Sequence, residues 1–137
     1  MRVVLDTNIL LSSLLVRGTS PDRIFAAWRH GQFELASCER QMEEINRVSR
    51  RQFFRDRLRA AEVGRMINDL RRLAVMGDPL PAVTVSPDPE DNYLLALAEV
   101  TRADFLVTGD KSGLLSLKKH GRTAIVSARK FLDIISK

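Results

Sequence analysis

Four acids stand where a folded chain could bring carboxylates together: Asp6, Glu44, Asp91 and Asp110. Asp6 closes the apolar run Val3-Val4-Leu5, and Asp110 closes Phe105-Leu106-Val107-Thr108-Gly109. Unbroken apolar runs suit strands buried on both faces of a parallel sheet. Such sheets bind ligands just beyond the carboxyl ends of their strands. Both acids are therefore expected on one side of a sheet, and Asp104, at the start of its strand, on the other. Asp6 can also be read as an ordinary turn carboxylate. Asp91 precedes Leu94, Leu95 and Ala98 at spacings of three, four and seven, which places it on the inward face of a helix. The competing reading is a helix cap, with Asp88 at the N-cap and Asp91 at the capping-box position; for Asp88 the cap is preferred. At about 100° per residue, Glu44 lies roughly 100° and Glu43 about 160° from the centre of the Met42/Ile45/Val48 stripe. Glu43 is expected to face water and Glu44 to border the buried face. The alternative role for Glu44 is a surface salt bridge to Arg40 or Arg47.

Carboxylates crowded together cannot all ionise without a counter-charge. Oxygen ligands, in a chain with one cysteine and no paired histidine, suit a hard cation such as Mg²⁺ or Mn²⁺. The chain as a whole is basic, with a net charge of +5 and 17 arginines to 5 lysines. Guanidinium groups favour bidentate phosphate contacts, and a basic domain suggests a polyanionic partner. An acidic metal pocket ringed by arginine is the charge pattern of a nuclease. The densest basic stretch runs through Arg50, Arg51, Arg55, Arg57 and Arg59 around Phe53 and Phe54. Arg50, Arg51 and Arg55 are expected to contact phosphates of a nucleic acid, or the stretch to hold an acidic partner segment. His30 and His120 are isolated, no Ser/His/Asp set is present, and Cys38 reads as a packed residue that has no disulfide partner.

These residues need elements to position them. At 137 residues the expectation is one domain spanning 1–137. Strands are expected at 3–5, 33–36, 83–85, 105–108 and 124–126. Helices are expected from Ile9 to Leu15, from Ser20 as N-cap through Trp28, from Ser37 as N-cap through Val48, over a long stretch reaching Leu73 and Ala74, after Asp88, near Leu114–Leu117, and from Ser127 to the end. Strands alternating with helices argue a three-layer α/β/α fold around a central parallel sheet. The apolar stretch Ile9–Val16 is too short to span a bilayer and Asp6 interrupts any leader-like run, so a cytoplasmic protein is expected.

Val-Val-Leu-Asp-Thr-Asn at the start, Glu44-Ile45 followed by Val48, Asp88-Pro-Glu-Asp-Asn, and Leu-Val-Thr-Gly-Asp together resemble the PIN-domain family in order and spacing. The likeness is greatest to the prokaryotic (VapC-like) branch described as toxins of toxin–antitoxin pairs. The resemblance implies a parallel sheet between helices and Mg²⁺- or Mn²⁺-dependent endoribonuclease activity. It implies catalytic, metal-site roles for Asp6, Glu44, Asp91 and Asp110, with Asn8 and Thr108 as supporting polar residues. The partners it implies are RNA, an antitoxin protein and a second copy in a homodimer. Ser49 departs from the family by standing where an apolar residue is usual. Two other readings compete. One is a phosphate-transferring α/β enzyme using Asp6 as nucleophile, which normally needs a second Asp where Asn8 stands. The other is a non-catalytic RNA- or protein-binding module.

Overall fold

The computed structural model describes residues 1–137. Its centre is β1 (Arg2–Leu5), whose Val3, Val4 and Leu5 are all fully buried. Side chains alternate across a strand, so Val3 and Leu5 enter one core and Val4 the other. The two-sided burial read from the apolar run is therefore realised. β1 pairs in parallel with β2 (Glu34–Ser37) and with β4 (Phe105–Val107). β2 in turn pairs in parallel with β3 (Val75–Met76), and β4 with β6 (Thr123–Val126). β5 (Lys119–His120) lies antiparallel to β6 and closes the order β3-β2-β1-β4-β6-β5. Both edge strands are two residues long.

One helical layer holds α1 (Thr7–Ser12), α2 (Ser20–Arg29), α3 (Glu39–Ser49), α4 (Gln52–Arg55), α5 (Ala60–Leu73) and α8 (Ala128–Ile135). Their apolar faces, including Ile24, Met42, Ile45, Leu70 and Phe131, pack on Val3, Leu5, Leu35 and Val107. The opposite layer is α6 (Asn92–Thr101) with the short α7 (Leu114–Leu117), packed on Val4, Ala36, Leu106 and Ile125. α6 is apolar nearly all round, with every residue from Tyr93 to Ala98 buried, as a helix enclosed in a core should be. A 3₁₀ turn, Pro89–Asp91, leads into it.

The structure departs from the sequence reading in several places. Val83–Val85 forms no strand and Val85 is 55% exposed. The strand beside β2 is instead Val75–Met76, directly after α5, whose end leaves Leu73 exposed. α1 starts at Thr7 with Asp6 as its N-cap, two residues before the expected start. Thr19, not Ser20, is the N-cap of α2. Cys38, not Ser37, stands at the N-cap of α3, because the Ser37 hydroxyl is spent on Gln41 Oε1 at 2.6 Å. Ser127 does cap α8, accepting from the Lys130 N–H at 3.1 Å. No helix is long and apolar enough to cross a membrane.

Candidate active site

The chain runs from β1 outward to β2 and β3, then returns to the other side of β1 to lay down β4 and β6. This reversal opens a crevice at the carboxyl edge between β1 and β4, the switch point at which open parallel sheets bind ligands. A cavity of about 550 Å³ lies there. Asp6, Glu44, Asp91 and Asp110 all line it, together with Asn8, Arg47, Arg51, Asp88 and Glu90. Asp104 is at the opposite edge, as expected. It accepts from the Arg2 N–H at 2.8 Å and from Arg122 at 3.0 Å, contacts that hold its carboxyl below the usual range.

Each acid reaches the cavity by a different route. The Asp6 N–H continues the ladder to the Val107 carbonyl at 2.9 Å, fixing the turn from β1 into α1. Thr108 Oγ1 donates to Asp6 Oδ2 at 2.7 Å and accepts from the Asp110 N–H at 3.2 Å, so one hydroxyl ties the two strand ends together. Asp110 also accepts from the Gly113 N–H at 3.0 Å. Asp91 is delivered by the 3₁₀ turn at the start of α6. The turn itself is capped by Asp88, which accepts from the Glu90 N–H at 3.0 Å. Asp91 does not complete a capping box, since the Asp88 N–H donates to Ser86 Oγ instead, at 3.3 Å. Glu44 leans in from α3 with its side chain 16% exposed, while Glu43 faces solvent. Asn8 lines the mouth, and its N–H points at Asp6 Oδ1 from 3.4 Å.

The cavity is short of positive charge. Only Glu44 has a cationic neighbour, Arg47 at 3.6 Å; Asp6, Asp91 and Asp110 form no salt bridge. Burial, more than the neighbouring charges of Glu44 and Asp110, raises the Asp6 carboxyl above its ordinary value. Burial again leads for Asp91, followed by the charges of Asp6, Asp88, Asp110 and Glu44, and together they push it up to about 7. Donors made only of carboxylate oxygen, held in uncompensated negative charge, fit a hard divalent cation in chemistry. As the side chains stand, no group of three acids is placed to hold one ion.

A match to known proteins bears on this geometry. A sequence profile described as PIN domain matches residues 2–112. The chain belongs to the PIN-domain family. PIN domains are generally nucleases, so this is a nuclease-type fold, and the matched span contains all four acids of the cavity. No curated protein and no solved structure gave a significant match.

Several residues that line this PIN domain's cavity or support it from behind escaped the sequence reading. Tyr93 Oη donates to Glu44 Oε1 at 2.5 Å, and the Thr7 hydroxyl donates to the same oxygen. Gln41, 1% exposed, donates to the Leu5 carbonyl at 2.7 Å and so pins the strand end that bears Asp6. Neither Tyr93 nor Gln41 was singled out from the sequence, although at about 100° per residue Gln41 lies roughly 40° from the centre of the Met42/Ile45/Val48 stripe, a signal that places it on the buried face. Arg47 was visible only as a partner for Glu44, three residues earlier on the same helix face. Of the three arginines expected to contact RNA, Arg51 lines the cavity, whereas Arg50 and Arg55 lie exposed outside it. His120 faces Glu99 at 2.9 Å and His30 the Ala26 carbonyl at 2.7 Å, both away from the site.

Gly113 offers a test of how Asp110 is held. A Cβ there would stand 2.1 Å from Asp110 Oδ2. Gly113→Ala is therefore expected to swing the carboxylate off its place while the core stays intact. The expected outcome is a melting temperature within a few degrees of the parent and a roughly tenfold or larger loss of nuclease activity. Full activity would show that the orientation of Asp110 is immaterial.

Proposed function

We propose that this PIN domain is an endoribonuclease that hydrolyses RNA phosphodiester bonds with Mg²⁺ or Mn²⁺. The observation that carries the reading is the gathering of Asp6, Glu44, Asp91 and Asp110 on one cavity with a single ion pair, Arg47 to Glu44, among them. Asp6, Glu44, Asp91 and Asp110 are the residues that would hold the cation. Bound there, it would supply an activated water and neutralise charge on the leaving oxygen. The protein's own groups do the rest. Thr108 fixes Asp6 and Asp110 relative to each other through its one hydroxyl. Arg47 and Arg51, both exposed and both on the cavity wall, are placed to take phosphate oxygens of an entering strand. Asn8 stands where an aspartate-phosphorylating enzyme would need a second acid, which speaks against the phosphate-transfer reading.

The deciding experiment is cleavage of a labelled RNA with Mg²⁺, with Mn²⁺ and with a chelator. Cleavage restored by either cation and lost in the Asp110→Asn variant supports the reading. RNA bound but never cut under any condition would leave the binding-module alternative standing.

From Arg51 on the cavity wall outward, the exposed arginines on and around α4 are proposed to follow the RNA backbone. Each phosphate neutralised on a flexible strand contributes about 0.7 to the slope of log affinity against log salt. Replacing Arg51 and Arg55 together by Gln should flatten that slope by about 1.4 when binding is measured in chelator. An unchanged slope would make the stretch an ordinary solvated face.

The motif resemblance to prokaryotic toxins further supports a role as the toxin of a type II pair, with an antitoxin protein as partner. Co-expression with the product of the adjacent gene tests it. Growth arrest relieved by that product, and absent in Asp6→Asn, is the expected result.

A further inference from the structure

We propose that Tyr93 is a positioning residue that turns Glu44 into a one-oxygen donor; the inference rests on the nuclease reading above. Tyr93 is 5% exposed and its ring is packed in the core with Leu94, Leu97 and Ala98. That core lies on the α6 side of the sheet, whereas Glu44 belongs to α3 on the other side. The Tyr93 hydroxyl crosses the carboxyl edge of the sheet to reach Glu44 Oε1 at 2.5 Å. Thr7 donates to the same oxygen, and the Thr7 and Tyr93 oxygens stand 3.2 Å apart.

The hydrogen count fixes the directions. Each hydroxyl has one hydrogen to give, and an ionised carboxylate only accepts. With both hydrogens directed at Oε1, that oxygen has two donors and is fully engaged. Behind them stands a second row: Gln41 Nε2 approaches Thr7 Oγ1 at 3.5 Å while donating to the Leu5 carbonyl, and Ser37 donates to Gln41 Oε1. Ser37, Gln41 and Thr7 are all at most 2% exposed, so this row has no water to turn to. The other carboxylate oxygen, Oε2, has one neighbour, Arg47 at 3.6 Å, on a side chain that is 54% exposed. Oε2 is thus the oxygen that Glu44 can offer to a cation, and the two hydroxyls decide which way it points. Neither hydroxyl carries charge, so they orient Glu44 without neutralising it, as an arginine in their place would. Asp91 lies two residues before Tyr93, so the start of α6 brings both an acid and the group that aims a second acid.

The test uses the full chain, with Mn²⁺ as the probe, followed by loss of the free-ion paramagnetic resonance signal. Parent, Asp6→Asn and Tyr93→Phe are compared, and each is melted in chelator. Tyr93→Phe is expected to melt within several degrees of the parent, to bind Mn²⁺ about 10–100-fold more weakly, and to lose kcat by a similar factor with little change in KM for RNA. Thr7→Val, which removes the other hydroxyl at nearly constant shape, carries the same expectation should Tyr93→Phe fail to fold. A purely structural Tyr93 would lower the melting temperature and leave the Mn²⁺ affinity of the folded variant at the parental value; that result overturns the inference alone. A parent that takes up no Mn²⁺, or an Asp6→Asn variant that binds it equally well, overturns the nuclease reading and this inference with it.

Discussion

Asp6→Asn should abolish metal-dependent RNA cleavage, by about 100-fold or more in kcat, while the variant melts no lower than the parent in chelator. The two halves of this expectation have one cause. Asp6 is held above its ordinary carboxyl value chiefly by burial, with the charges of Glu44 and Asp110 adding to it. An ionised Asp6 therefore costs the folded state free energy, and a neutral isostere relieves that cost. The amide can still accept from Thr108, whose hydroxyl now bonds Asp6 Oδ2 at 2.7 Å. What the amide cannot supply is a charged oxygen ligand, and loss even of a supporting group around a metal typically costs 10–100-fold. The checks are a melting curve in chelator and a cleavage time course in Mn²⁺. An Asp6→Asn variant that still cuts RNA with a cation would remove Asp6 from the site altogether.

The second large effect is on stability, and it depends on both pH and cation. Asp91 is pushed up to about 7 in the fold, and Asp6 is raised as well. A group with a raised folded pKa stabilises the fold fully below its unfolded value, near 4 for a carboxyl, and loses that contribution as pH rises through the folded value. Without divalent cation the cavity should therefore withdraw stability between about pH 4 and pH 7. A cation that binds only the folded form acts in the opposite direction. At a hundred times its dissociation constant it adds about 2.7 kcal/mol, or roughly 10 °C for a chain of this length. The shift should be largest at pH 7–8 and shrink toward pH 5, where protons compete for the same oxygens. Melting curves at four pH values, with and without Mn²⁺, decide the matter. A cation-induced shift independent of pH, or unchanged in Asp6→Asn, would place binding elsewhere.

The frame of the site was legible because its signals are local. Val3-Val4-Leu5-Asp6 and Leu106-Val107-Thr108 announce buried strands and their exits within a few residues, and strand direction alone puts Asp6 and Asp110 on one edge. The helix-face argument separated Glu43 from Glu44 for the same reason. What stayed hidden depends on distant parts of the chain. Val75–Met76 is a strand because Ala36 and Ser37 lie beside it, whereas Val83–Val85, with better strand composition, finds no neighbour to pair with. Lys119–His120 pairs through a hairpin with Gly121 at φ +56° and has no apolar alternation to reveal it. Ser37 looked like a cap, but Gln41 claims its hydroxyl from inside the core. Tyr93 is the clearest case: it lies about 150° from the centre of the Leu94/Leu95/Ala98 stripe, it is buried because α6 is enclosed nearly all round, and only the approach of α3 across the sheet edge gives its hydroxyl a task.

The two-residue edges of the sheet have a consequence of another kind. A strand with an open edge is a template onto which another chain can add by backbone hydrogen bonds, the route to fibres and to swapped strands. Here β3 and β5 end the sheet after two residues each, and β5 carries Lys119 and His120. Borders this short, one of them also polar, offer an incoming strand little to lengthen upon. Strand addition is thereby disfavoured at both ends of the sheet.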